Sequence, residues 1–241
     1  MKPAPPVTRT FTGEQSKHCP VQTPETIRED FDRIALLPDG WSHNGQYHGW
    51  LLRHVPAGCG DALDAGCGTG EFARQLALRC KRVLGIDLSP GMIEQARRRS
   101  GGRPALEFRV ADLMDEASAA RFDCIATIAT LHHLPLEPAL ARLGGALRSG
   151  GVLLVLDVVG NRNAVERLWA ARAMPVAMVL RLWHRGRLRP TRAERQAWVA
   201  HCHTDRYPTL AEVRAACARV LPGARVRRHL LWRYSIVWNK P

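Results

Sequence analysis

Leu63-Asp64-Ala65-Gly66-Cys67-Gly68-Thr69-Gly70 decides the fold of this 241-residue chain. The stretch leaves an apolar run and enters a helical one, and its three glycines permit backbone angles and a close ligand approach that a Cβ would block. Its spacing is G-x-G-x-G, which differs from the G-x-G-x-x-G of dinucleotide-binding turns. Asp64 stands at its base. A carboxylate there would repel a phosphate but attract an ammonium group, so the loop points to a ligand that is cationic at that end.

On either side of the loop, short apolar runs at residues 62–65, 82–87, 106–110, 122–128 and 152–158 alternate with helical stretches at 71–78, 90–98 and 139–147. Near-continuous apolar strands separated by helices are what a parallel sheet buried on both faces requires. Residues 224–238 hold two runs of β-branched and aromatic residues, which predict a closing antiparallel pair. The expected fold is therefore a doubly wound α/β domain: a seven-stranded, mostly parallel sheet with an antiparallel final strand, in a three-layer α/β/α sandwich. Ahead of the sheet, Thr23-Pro24-Glu25 reads as a helix start, with an end near Pro38-Asp39-Gly40, and a second helix covers 46–53, so residues 23–55 form N-terminal lid helices. Ser89-Pro90 caps the helix after the second strand. Residues 161–207 read as a helical, amphipathic insertion after the fifth strand, and Thr209-Leu210-Ala211-Glu212 opens another helix on capping-box spacing. Residues 1–22, rich in Pro, Thr and Gln, read as a disordered tail, leaving 23–241 as one domain.

Asp87 ends the second strand, where an acid can accept hydrogen bonds from both hydroxyls of a ribose. Asp112 follows the third, where a carboxylate can receive the exocyclic amine of an adenine. Taken singly, either acid could be a helix cap or turn residue. Three acids at the C-terminal ends of three successive strands, however, face the crevice in which open α/β sheets bind ligands, and together they outline ammonium, ribose and adenine. This series, with Phe122-Asp123-Cys124-Ile125 on the fourth strand, resembles the class I S-adenosylmethionine-dependent methyltransferases, and within them the small-molecule enzymes of ubiquinone-biosynthesis type. The resemblance covers residues 45–160, and the final strand pair is similar to the family's reversed hairpin. It implies S-adenosyl-L-methionine as cofactor and S-adenosyl-L-homocysteine as product. It also implies that Asp64, Ala65, Gly66, Cys67, Gly68 and Gly70 approach the methionine end, that Asp87, Leu88 and Met92 lie at the adenosine, and that Ala111, Asp112 and Leu113 flank the adenine, with Ile128 in the same cleft. A methionine such as Met92 is more often a core residue than a ligand contact.

Thr127-Ile128-Ala129-Thr130-Leu131-His132-His133-Leu134-Pro135 resembles the segment that faces the transferred methyl group in small-molecule members. His132 and His133 are the candidate bases, since an imidazole can take a proton from a hydroxyl, an amine or an acidic carbon near neutral pH. Each could instead be a packed residue. Residues 41–48 resemble the lid region, which makes Tyr47 and His48 either acceptor contacts or ordinary helix-face residues. Trp169 and the apolar residues around it could wall a pocket for a hydrophobic acceptor, pack on the sheet, or touch a membrane. His201-Cys202-His203 offers adjacent, diverging side chains without a fourth ligand, so no metal is expected.

The 35 Lys and Arg against 22 Asp and Glu give a formal net charge of +13, a field that attracts polyanions. No block of five or more basic residues occurs, which reads as a basic solvated face, not a dedicated nucleic-acid surface. Seven cysteines without a C-x-x-C pair read as free thiols. The chain lacks both a membrane-length apolar run and a secretory apolar stretch near its N-terminus, so a cytoplasmic monomer or homodimer is expected. The implied activity is methyl transfer to an O, N or C nucleophile of a small, hydrophobic acceptor, in secondary metabolism. Three alternatives stand beside it. Methylation of RNA or another macromolecule is favoured by the charge and opposed by the lack of an Asn/Asp-Pro-Pro-aromatic signature and of an RNA-binding module. A non-catalytic cofactor-binding subunit is opposed by the complete motifs, and a nicotinamide-dependent oxidoreductase by the glycine spacing and Asp64.

Overall fold

The structure, a computed structural model, describes residues 23–36, 42–116, 122–162, 164–186, 191 and 207–241. The seven strands are β1 (Asp61–Ala65), β2 (Arg82–Asp87), β3 (Leu106–Val110), β4 (Phe122–Ile128), β5 (Leu147–Val158), β6 (Arg225–His229) and β7 (Arg233–Asn239). They form one sheet in the order β3-β2-β1-β4-β5-β7-β6. Pairing is parallel from β3 to β5, and β7 runs antiparallel to both β5 and β6. The expected fold class is thus the one observed. Chain order reverses at β1, whose neighbours are β2 and β4, and this opens a crevice at the C-terminal ends of these strands.

The helices are α1 (Pro24–Ala35), α2 (His48–Leu52), α3 (Glu71–Leu76), α4 (Pro90–Ser100), α5 (Leu113–Glu116), α6 (Leu136–Ala146), α7 (Ala164–Arg185) and α8 (Leu210–Val220). Two apolar layers hold them to the sheet. One joins Leu51, Phe72, Leu76 and Ile93 of α2, α3 and α4 to Ala62, Ala126, Leu154 and Val237. The other joins Leu140, Leu143, Val213 and Cys217 of α6 and α8 to Leu63, Ile125, Leu153, Val155 and Ile236. Because neighbouring residues of one strand serve opposite layers, β4 and β5 need apolar side chains on both faces, which is why they read as continuous runs.

Side-chain caps explain three of the helix starts. Thr23 and Thr209 each complete a capping box, and the Ser89 hydroxyl accepts a hydrogen bond from the Met92 N–H at 3.0 Å. Several boundaries shift by a few residues from the sequence reading, two of them at the ends of α6. Helix α6 starts at Leu136, three residues early, because Pro138 falls in the first turn, where a missing N–H costs nothing. Leu147, expected to close that helix, instead begins β5, whose pairing with β4 shifts register between Phe122 and Cys124.

Residues 1–22, the Pro38-Asp39-Gly40 helix end and His201-Cys202-His203 lie outside the described residues. Among the described residues, no helix is long and apolar enough to cross a membrane, and Cys59, Cys67, Cys80, Cys124 and Cys217 are buried free thiols.

Candidate functional site

The glycine loop is held by the end of β2. Gly66 and Cys67 donate their N–H groups to the Ile86 carbonyl at 2.8 and 2.9 Å, and Gly68 N–H donates to Asp87 Oδ2 at 2.8 Å. Asp87 Oδ1 accepts from the Ser89 N–H at 3.0 Å, so this carboxylate ties the loop to the start of α4. Burial pushes the Asp87 carboxyl up despite these N–H bonds. Asp112 Oδ1 accepts from the Met114 N–H at 2.7 Å, the turn-acid role that the sequence left open. Leu88, Ala111 and Ile128 are half-buried, whereas Met92 and Leu113 are buried.

Asp64 differs from both. It is buried on β1, and its Oδ2 has no hydrogen-bond partner. Burial, and next the neighbouring Asp87 carboxylate, push its carboxyl up to about 7, against the lowering effect of the Ala73 N–H. An enclosed acid with an unsatisfied oxygen, next to a second acid, is a site for a cationic group.

The three glycines are not equivalent. Gly66, Gly68 and Gly70 all have positive φ, at 73°, 51° and 75°. A Cβ on Gly66 would lie 2.2 Å from Thr130 Oγ1, and one on Gly70 would lie 2.9 Å from the Phe108 ring. Around Gly68 nothing stands within 4 Å, so this glycine lies open. Both Gly70→Ala and Gly68→Ala strain the backbone, but only the former overpacks. Denaturant unfolding is expected to show Gly70→Ala less stable than Gly68→Ala by about 1–3 kcal/mol.

At the ends of β4 and β5 lies a second cluster. Ala129 follows β4 with φ 54°, a conformation that non-glycine residues rarely adopt, and it swings the chain into a short 3-10 turn, Leu131–His133. His132 Nδ1 lies 2.6 Å from Asp157 Oδ1. The His132 N–H donates to Asp157 Oδ2 at 3.1 Å, and the Val158 N–H to Oδ1 at 2.6 Å. Asp157 is fully buried. Burial alone would raise its carboxyl, but the His132 ring and the Val158 N–H hold it below the usual value, so it is ionised. The His132 ring centroid is 3.9 Å from that of His133 and 5.2 Å from that of Tyr207. His133 meets Phe31 of α1 edge-on at 5.6 Å.

The remaining candidates have other partners. His48 is buried against Phe72 and contacts Gln75 Nε2 at 3.1 Å, the environment of a helix-face residue, and burial pushes it down to about 4. Tyr47 donates its hydroxyl to the Leu230 carbonyl at 2.5 Å, at the turn between β6 and β7. Trp169 is exposed on α7, with the Arg172 and Arg228 guanidiniums 5.3 and 5.9 Å from its ring centroid.

The sequence reading missed Asp157, Thr130 and Asp32. Asp157 had a usable signal: a lone acid at the end of the apolar run Val152-Leu153-Leu154-Val155-Leu156 must find a buried partner. Asp32 of α1 accepts from the Ser89 hydroxyl and, at 2.9 Å, from the Gly91 N–H, pinning the N-terminal helix over the start of α4.

Comparison with known proteins agrees with this geometry. Residues 63–155 match the family model described as a methyltransferase domain. An uncharacterized methyltransferase of Mycobacterium bovis is 32% identical over 210 residues, covering 83% of this chain and 98% of that protein. The ubiquinone biosynthesis O-methyltransferase of Xylella fastidiosa is 30% identical over 198 residues, covering 72% and 77%. Among solved structures, the N-methyltransferase NodS of Bradyrhizobium japonicum with S-adenosyl-l-homocysteine superposes with a TM-score of 0.58 at 18% identity, covering 89% of this chain and 98% of that one. With the acid-flanked glycine loop at the sheet reversal, these relatives establish that the chain belongs to the class I S-adenosylmethionine-dependent methyltransferases.

Proposed function

We propose that the chain transfers the methyl group of S-adenosylmethionine to an oxygen, nitrogen or carbon nucleophile of a small, hydrophobic acceptor, with His132 as the proton acceptor and Asp157 as the residue that positions it. One observation carries this reading: the buried Asp157 carboxylate bonded to His132 Nδ1 at 2.6 Å, at the ends of β4 and β5. An ionised carboxylate only accepts hydrogen bonds, so Nδ1 carries the proton and Nε2 is the basic nitrogen. The same division of labour between carboxylate and imidazole operates in catalytic triads. His133, packed edge-on against Phe31, shapes the site and ties α1 to it.

S-adenosylmethionine supplies an electrophilic methyl carbon on a sulfonium that leaves as a neutral thioether. The unsatisfied Asp64 oxygen would receive its ammonium group, Asp87 the ribose hydroxyls and the second oxygen of Asp112 the adenine amine. Gly66 to Gly70 would let the backbone approach, with Leu88, Met92, Ala111, Leu113 and Ile128 around the adenosine. Alignment of nucleophile, methyl and sulfur supplies most of the acceleration, about 7–11 kcal/mol for a well-positioned pair. The O-methyltransferase among the relatives favours oxygen as the acceptor atom. Apolar side chains of α7, Trp169 among them, would cover the acceptor.

Incubation of the protein and labelled S-adenosylmethionine with fractionated cell extract separates the small-molecule reading from the macromolecular one. Label is expected in the organic-extractable small-molecule fraction. Label confined to RNA, with RNA affinity falling steeply with salt, would reverse the assignment.

A further inference from the structure

The methyl-transfer scheme leaves a half-buried cation, Arg233, unused. Strand β7 is antiparallel to β5, with Arg233 opposite Val158, so its first residue sits at the sheet edge where β4 and β5 end. Arg233 Nε donates to Asn44 Oδ1 at 2.7 Å, and Nη1 donates to the Leu231 and Trp232 carbonyls at 3.3 and 3.5 Å. These acceptors are neutral, and they engage only part of the five N–H donors of a guanidinium. Among the described residues, no carboxylate lies within ion-pair distance of Arg233. Asp157 exerts a favourable field on it without pairing with it, its carboxylate being bonded to His132 and Val158 instead. A largely enclosed cation without a paired anion is costly, and among the described residues the recorded side-chain hydrogen bonds of Arg233 go only to neutral acceptors.

The hairpin turn that precedes this guanidinium has an uncommon backbone. Leu231 and Trp232 have φ of 55° and 59°, a conformation that large side chains avoid and that tends to persist at ligand clamps. Their turn is fixed on three sides: the Trp232 indole donates to the Ala170 carbonyl of α7 at 3.1 Å, the Val159 N–H donates to the Trp232 carbonyl at 3.0 Å, and the Tyr47 hydroxyl bonds Leu230. Burial, and next the fields of Arg233 and Arg181, push the nearby His43 down to about 4, so it stands neutral beside Arg233 at pH 7. Tyr207 lies within electrostatic range of Arg233, and its ring centroid is 5.2 Å from that of His132.

We propose that Arg233, held by Asn44 and the Leu231-Trp232 turn, binds a carboxylate of the acceptor and so selects a hydrophobic acid whose methylated atom reaches His132. This inference rests on the small-acceptor reading above. Its test is binding, not turnover, on the full chain saturated with S-adenosylhomocysteine. Benzoate and decanoate are titrated against their primary amides into wild type, Arg233→Met and Arg233→Lys. Wild type is expected to bind at least one carboxylate about tenfold or more tightly than its amide, with that preference lost in Arg233→Met and partly kept in Arg233→Lys. Equal binding of acid and amide by wild type, or no binding of either carboxylate, overturns the proposal. Loss of S-adenosylhomocysteine affinity in a folded Arg233→Met would also overturn it, by assigning the arginine to the donor's own carboxylate. Failure of wild type to bind S-adenosylhomocysteine would instead count against the methyltransferase reading itself.

Discussion

His132→Ala is expected to lower kcat by about 10²- to 10⁴-fold, the range that a positioned general base supplies. Affinity for S-adenosylhomocysteine should stay near that of wild type, because His132 bonds Asp157 and not the glycine loop. Asp157→Asn tests the same pair from behind. The carboxylate accepts the Val158 N–H and His132 Nδ1 on one oxygen and the His132 N–H on the other. An amide must turn its NH2 toward one of these donors, which leaves buried N–H groups facing each other at a cost of about 1–3 kcal/mol. The ring then loses its orientation, and the loss of negative charge shifts the acid limb of the kcat profile to lower pH. His133→Ala serves as the comparison, with a smaller loss of kcat and weaker docking of α1. Single-turnover rates at saturating donor measure all three. A His132→Ala enzyme as fast as wild type would leave the pair a structural role only.

The architecture was legible because its signals are local. The strands β1, β2 and β4 and the second half of β5 are near-continuous apolar runs, β3 alternates apolar with charged residues, and Thr23, Ser89 and Thr209 cap their helices through partners three residues away. The three acids were legible as well, since each stands at a strand end. Their division of labour was not. Gly66 and Gly70 give way to Thr130 and Phe108, so the packing they permit depends on residues far along the chain. Asp87 and Asp112 bond the backbone next to them, whereas Asp64 keeps an unsatisfied oxygen, a difference set by burial that spacing cannot express. Long-range pairs were hidden for the same reason. His132 and Asp157 lie 25 residues apart, Asp32 and Ser89 lie 57 apart, and Asn44 and Arg233 lie 189 apart. A sheet brings such residues together through its strand order, and local periodicity carries no record of that order.

Asp64→Asn is expected to weaken S-adenosylhomocysteine binding roughly ten- to hundredfold, the worth of one hydrogen bond to a buried charge. The wild-type pH dependence has a defined sign. Burial and Asp87 hold the Asp64 carboxyl at about 7, so in the free chain it is largely protonated at pH 5.5 and ionised well above 7. An ammonium group favours the ionised form, so binding releases a proton below pH 7 and affinity climbs with pH until the carboxylate is already charged. By the same linkage the free chain loses stability as pH rises from the unfolded value of 3.8 towards 7, since the folded state binds the proton more tightly.

Calorimetric titration of S-adenosylhomocysteine across pH 5.5 to 8, in buffers of different ionisation enthalpy, reads affinity and proton release together. The expected result is one site per chain, tightening up to about pH 7 with proton release that Asp64→Asn abolishes. Absence of binding, or pH-independent binding unchanged in Asp64→Asn, would contradict a donor held at the acid-flanked glycine loop.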